Sequence, residues 1–419
     1  MTTVTTIGAL IGLAVAIALI IKKVNPAYSL ILGALIGGLV GGVSLQATVG
    51  FMISGAQGVV PAVLRIITAG VLAGSLIQSG AAAKLANTII AKLGEKWALP
   101  ALAISVMILT AVGVFIDVAV ITVAPIALAV AKKAVLPQMA IILAMVGGGK
   151  AGNMMSPNPN AIIGSDNFGV ELWSLMTANI IPAIGGLITA IVLSMYLAKK
   201  YKDTPITGVD ESEAKTDDAL PSFIGALTGP LVTIVLLSLR PLIDFAIDPL
   251  VALPLGGIAG LLAMGKIKHL NAYMVFGLSK MSGIAILLLG TGAIAGIIQN
   301  SQIQVDTIAM LNALNLPSFL LAPISGMLMS GATASTTAGV AVASSTFGPA
   351  ITAVVSPLAG AAMVHTGATV FDHLPHGTFF HATGGSVYMD IKARLKVIPY
   401  ESLVGLVMTI ISVIIWGVL

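Results

Sequence analysis

Apolar residues run along this chain in blocks about as long as a bilayer is thick, and the polar positions between them are unevenly spread. The blocks predict membrane-spanning helices at residues 4–21, 29–43, 59–80, 173–198, 223–239, 249–264, 274–298 and 399–419, because about 20 apolar residues cross the hydrocarbon core. The glycine-rich, amphipathic residues 46–58 predict a segment at the outer interface, and residues 84–96 a cytoplasmic loop. Three stretches do not fit simple crossings. Residues 97–131 carry one charge, Asp117; as one straight helix they would run roughly 52 Å against a core of about 30 Å. The chain therefore breaks or folds back near Asp117. Residues 317–371 contain no Asp, Glu, Lys or Arg and hold the small hydroxyl-rich run 331–339 at their middle, which fits a re-entrant tip lining a cavity. Residues 137–149 predict a half-helix, and 147–169 an unwound segment.

The basic residues set the orientation. They cluster at Lys22 and Lys23, at Lys84, Lys92 and Lys96, at Lys132 and Lys133, at Lys199, Lys200 and Lys202, at Lys266, Lys268 and Lys280, and at Lys392, Arg394 and Lys396. The segment after Ser79 is rich in lysine, whereas the one after Ser301 has no Lys or Arg up to Pro317. Positive charge stays in the cytoplasm, so the two halves are inserted upside down relative to each other. Matching segments recur in the same order: Ala73–Ser79 with Ala295–Ser301, the Asp117 region with 331–339, and Met155–Asn160 with His373–Thr378. The expected architecture is an all-α polytopic membrane protein of two inverted-topology repeats, residues 1–200 and 222–419, joined by a cytoplasmic linker at 201–221. Its re-entrant hairpins and broken helices point to a secondary transporter.

Composition agrees. The chain is 57% hydrophobic and 9% charged, with a mean hydropathy of +1.06, so no segment is long and polar enough for a separate soluble domain. Absence of cysteine excludes a disulfide framework, a thiolate metal site and a thiol nucleophile. The net charge of +4 follows from the cytoplasmic clusters and does not argue for nucleic acid. Residues 1–6 lack a basic region, so the first span is not expected to be a cleavable signal. No nucleotide-binding loop is present, which leaves an ion gradient as the driving force, with no cofactor.

Candidate chemistry lies at the breaks. Residues 147–160 hold glycines, two prolines, and Lys150, Asn153, Ser156, Asn158 and Asn160. Interrupted helices free backbone groups to bind substrate or ion; the alternative is an external loop with a snorkelling lysine. Residues 365–381 hold four of the five histidines, His365, His373, His376 and His381, with Asp372 and Thr378. Asp372 and His373 make a plausible proton-binding pair, with His376 beside them; a metal site of Asp372, His373, His376 and His381, or a structural loop, are the rival readings. Asp117 is a functional candidate because a carboxylate in a bilayer is costly, and the alternative is a hydrogen bond that caps the break. Thr333, Ser335, Thr336 and Thr337 offer hydroxyls at the second tip. Arg65 reads as an interfacial anchor or an anion partner.

These segments resemble the gluconate permease (GntP) family of proton-coupled organic-acid symporters, within the ion-transporter superfamily. Ser156-Pro-Asn-Pro-Asn160 resembles the family's Pro-Pro-His-Pro-Gly segment, and Asp372-His373 with Phe379-Phe380 resembles its Ser-His…Phe-Trp segment. Asn158 departs from the family's His, and Pro375-His376 from its Asn-Asp. The resemblance implies a small hydroxy-carboxylate substrate, such as an aldonate or glycerate. It also implies a scaffold, a moving transport domain and a homodimer in the bacterial inner membrane.

The sequence thus predicts a proton-coupled symporter and not an enzyme. Lys150 and half-helix N-termini would hold the carboxylate, Asn153, Ser156, Asn158, Asn160, Thr333, Ser335, Thr336, Thr337, His365 and Thr378 would complete the substrate site, and Asp117, Asp372, His373 or His376 would carry the proton. Sodium coupling on the same fold, an ion antiporter without organic substrate, and a membrane metalloenzyme built on the histidines remain as alternatives.

Overall fold

The computed structural model describes residues 3–94, 97–202, 220–239, 247–302, 306, 309, 317–375 and 377–419. Most of the expected linker, together with Lys96 and His376, lies outside these residues. The described residues form helices and no strand beyond a single bridge between Val4 and Ser301.

The first half runs α1 (Thr6–Ile21), α2 (Pro26–Val40), α3 (Leu45–Gly58), α4 (Val60–Gln78), α5 (Ala81–Leu93), α6 (Ala98–Ala111), α7 (Ile116–Ala134), α8 (Gln138–Met154), α9 (Pro159–Phe168), α10 (Leu172–Ala178) and α11 (Ile180–Lys200). The second runs α12 (Phe223–Leu237), α13 (Pro249–Ala263), α14 (Leu270–Gln299), α15 (Leu321–Thr333), α16 (Thr336–Thr352), α17 (Pro357–Gly367), α18 (Thr378–Ser386) and α19 (Ile391–Val413). Each half includes a short helix pair (α1–α2, α12–α13), a hairpin broken at its tip (α6–α7, α15–α16), a broken helix (α8–α9, α17–α18) and a closing span (α11, α19). Starts are marked by side-chain caps. Thr5, Asn25, Ser44, Asn158, Ser222, Asp248, Ser335, Ser356 and Asp390 each accept a first-turn N–H, which satisfies donors that a helix start leaves open.

The helices sort into two bodies. The first, a scaffold, is α1–α4 with α12–α14; the second is α6–α11 with α15–α19, and it contains both hairpins and both broken helices. In the scaffold, α3 and α4 continue one another along α14. Gly55 meets the backbone at Gly292 and Gly296, and Gly70 meets that at Gly277, so closely that no Cβ would fit. Within a bilayer no hydrophobic drive brings helices together, so such backbone contact supplies dispersion and weak hydrogen bonding instead. The bodies touch where α14 meets α16, α4 meets α9 and α1 meets α15.

Several boundaries differ from expectation. Residues 84–93 of the expected loop are helical: α5 buries Leu85, Ala86 and Ile90, and its ends are set by Gly80 and Gly94 at φ 81° and 75°. Residues 147–154 are not unwound, since α8 passes through Gly147, Gly148 and Gly149 intact. These glycines serve packing, with Gly148 against the Ala103 backbone and Gly152 against Met107 and Thr110. The interruption is confined to residues 155–158, which include Pro157, and the chain is helical again from Pro159, the first residue of α9. The segment 46–58 is packed along α14 as helix α3, α14 starts earlier than predicted, and the last span begins at Ile391 with Pro399 inside it.

Candidate functional site

Hairpin tips and helix breaks of the second body face the scaffold across a cavity of about 420 Å3. Five helices start at its wall: α2 at residues 25–27, α7 at 115–117, α9 at 158–160, α16 at 335–337 and α18 at 378–379. Each start carries partial positive charge and N–H groups directed outward along the helix axis. The α14 segment around Gly283 and Leu287 closes the scaffold side. No Lys or Arg lines the cavity among the described residues, so the positive potential at its wall comes from helix starts and neutral amide N–H groups.

The break between α8 and α9 is held by its own asparagines. Asn158 Nδ2 donates to the Asn153 carbonyl at 2.6 Å and to Asn153 Oδ1 at 2.7 Å. Asn158 Oδ1 accepts from the N–H of Asn160 and Ala161. Asn158 is thereby saturated as a staple of the break. Thr337 Oγ1 donates to Asn160 Oδ1 at 2.5 Å, tying the α16 start to the α9 start. Asn153 and Asn160 use their Oδ1 atoms in these contacts, leaving their Nδ2 groups as donors at the cavity wall. Starts α7 and α18 have no side-chain cap from Phe115 or Gly377. At α7 the Val118 N–H instead donates to Asp117 Oδ1 at 2.9 Å, so Asp117 lies over its own helix start and borders the cavity.

Lys150 is placed differently from expectation. It is buried and does not line the cavity. Its ammonium donates to the Thr369 carbonyl at 2.6 Å, Asp372 Oδ1 at 2.6 Å and His373 Nδ1 at 2.8 Å. An ammonium has three donors, so Lys150 has none left for a substrate. Asp372 Oδ2 accepts from Thr336 Oγ1 at 2.6 Å. His373 Nδ1 lies between Lys150 Nζ at 2.8 Å and Asp372 Oδ1 at 2.9 Å, and its Nε2 faces the Ile398 carbonyl at 3.1 Å and Ser402 at 3.2 Å. Behind His373, Arg394 and Glu401 form a buried bidentate pair at 2.7 and 3.1 Å.

Of the predicted residues, Asp117, Asn153, Asn158, Asn160, Ser335, Thr336, Thr337, Asp372 and Thr378 meet at the cavity. Lys150, Ser156, Thr333, His365 and His373 do not line it. Thr333 donates within its own hairpin to Met329 and Ser335, and His365 is buried in α17 with Asn179 at 3.5 Å. His381 contacts the Pro375 carbonyl, and among the described residues no three His, Asp or Glu side chains gather as a metal-binding group. Sequence reading missed Asn25 to Ala27 and the α14 wall. Asn25-Pro26 carries a helix-start signature, but the α14 positions are apolar and give no signal.

Arg65 is neither a free anchor nor a cavity cation. It pairs with Asp248 at 2.6 and 3.0 Å and with Asp166, which ties scaffold helices α4 and α13 to α9 in the second body. The Arg65 hydrogen bond holds Asp248 below the usual carboxylate range.

The profile of the GntP family permeases matches residues 4–419. The chain belongs to the GntP permease family. It is 60% identical to an uncharacterized transporter of Haemophilus influenzae (strain ATCC 51907 / DSM 11121 / KW20 / Rd), over all of this chain and 99% of that one. It is 22% identical to the Gnt-II system L-idonate transporter of Escherichia coli K12, over 69% of this chain and 71% of that one. The YdaH transporter of Alcanivorax borkumensis, whose crystal structure is described as having an unusual topology, shares the fold at a TM-score of 0.67 and 16% identity, over 87% and 86% of the two chains. The permease is thus a multi-pass membrane transporter and not an enzyme.

Proposed function

We propose that this permease imports a small hydroxylated monocarboxylate, such as an aldonate, across the bacterial inner membrane together with a proton carried by Asp117. One observation carries the reading: a cavity bordered by five helix starts contains, among the described residues, one lining carboxylate without a cationic partner, Asp117. The other, Asp372, is neutralised by Lys150. When Asp117 is ionised it occupies the α7 start itself and repels a second anion. Once protonated it releases that start, and the substrate carboxylate takes its place. Substrate and proton therefore bind together. The Nδ2 groups of Asn153 and Asn160 and the hydroxyls of Thr336 and Thr378 would bond the substrate hydroxyls. The L-idonate relative supports a sugar acid, and the reading includes a homodimer in which the second body moves against the scaffold.

Current from proteoliposomes on a solid-supported membrane tests this with gluconate, glycerate, lactate and citrate, at two pH values, with and without sodium. The expected result is an inward positive current with a hydroxy-acid, enhanced by acid and indifferent to sodium. A current that requires sodium would keep the site and replace the coupling ion. Asp117→Asn is expected to abolish proton-driven accumulation while sparing exchange; full uphill uptake by that variant would remove Asp117 from the mechanism.

A further inference from the structure

Helix α14 carries five glycines, Gly277, Gly283, Gly290, Gly292 and Gly296, inside a helix that glycine weakens relative to alanine. Four have a packing reason. A Cβ at Gly277 would overlap the Gly70 backbone, at Gly290 that of Ala27, at Gly292 that of Gly55 and Ala56, and at Gly296 that of Phe51. Gly283 has none: a Cβ there would meet no atom within 4 Å. It stands instead on the wall of the cavity, opposite the hairpin tips that carry Asp117 and Thr336. Gly283 is exposed, and a side chain at this position would enter open space at the cavity wall.

We propose that Gly283 sets the length of substrate the permease accepts, by leaving open the scaffold end of the cavity for the tail of the hydroxy-acid chain. The inference rests on the carboxylate reading above and adds to it where the far end of the substrate lies. With the carboxylate at the helix starts of the second body, each carbon added to an aldonate extends it toward α14. The glycine keeps room there that alanine would narrow and leucine would remove. Ile286 and Leu287 on the same wall supply apolar contact to the chain's carbon skeleton.

The test uses the full-length permease in proteoliposomes with a chain-length series of glycerate, threonate, xylonate and gluconate, read both as transport and as ligand-induced thermal stabilisation. Gly283→Leu should lower kcat/KM for the longest accepted acid relative to the shortest by at least about tenfold, and Gly283→Ala should fall between, since a pocket that lacks room excludes by carbon count. A ratio within about twofold of the unmodified protein in both variants overturns the inference. An equal loss for every acid also overturns it, because it would show that the wall must be smooth for the second body to slide past. Should the leucine variant fail to fold, the alanine variant decides alone: it is compatible with the helix and meets no neighbour. If none of the acids moves or stabilises the unmodified protein, the carboxylate reading falls and takes this inference with it; a reading that stands with an unshifted series removes the inference alone.

Discussion

Lys150 and Asp372 illustrate how a charge in a bilayer can be structural. Both are buried, and the ammonium is saturated by three acceptors. Removing one member of such a pair strands the other, at a cost of about 3–5 kcal/mol. Lys150→Met is therefore expected to lower the melting temperature in detergent strongly, and adding Asp372→Asn to recover much of the loss. A double variant no more stable than the single one would show that Lys150 acts through other contacts. The sequence made both residues conspicuous yet could not pair them, because they stand in different halves. It placed Lys150 in the substrate site because an isolated lysine near a helix break suggests an anion. His365 misled in the same way: a polar residue in an apolar run looked like a ligand but is buried inside α17. Asp117, Asn153 and Asn160 were legible because their isolation beside proline or a hairpin tip is itself the signal.

Among the helices, glycine has two meanings that spelling alone does not separate. At Gly80 and Gly94 it takes positive φ and ends a helix; at Gly148 and Gly277 it admits a neighbouring backbone. The run at 147–149 was read in the first sense and is used in the second, so the predicted unwound segment shrank to residues 155–158. Hairpin tips were legible because length forced them: no straight helix of the size of 97–131 fits a bilayer. Boundaries such as the start of α19 were not, since amphipathic turns beside Lys392 and Lys396 resemble loop until their packing is known. The two roles predict opposite responses. Gly50→Ala, which meets nothing, should stabilise the protein by about 0.5–1 kcal/mol. Gly277→Ala should destabilise it by about 1–3 kcal/mol, because two scaffold helices must part. Thermal unfolding of the purified variants checks both; equal shifts would deny the distinction.

For the whole molecule, the informative contact is Arg65, which joins scaffold to second body through Asp166. The group is partly exposed, so it contributes about 1 kcal/mol, enough to change a two-state population roughly fivefold. Arg65→Gln should therefore shift the protein away from the described arrangement without unfolding it. The natural chain has no cysteine, so Ser335→Cys introduces a single thiol at the cavity. Its rate of labelling by a membrane-impermeant reagent should change when Arg65→Gln is added; an unchanged rate would mean that the contact holds no conformational balance.

One lysine from the first half inserts into acceptors that all belong to the second. Two identical halves could not make this contact, since a lysine would then face a lysine, or an aspartate an aspartate. The two halves of the chain therefore meet here as plug and socket. Cut in the linker and made as two polypeptides, 1–210 and 211–419, they should recognise each other and reassemble, while neither should pair with a second copy of itself. Co-purification of differently tagged halves would read that out, and a Lys150→Met plug should fail to hold its socket.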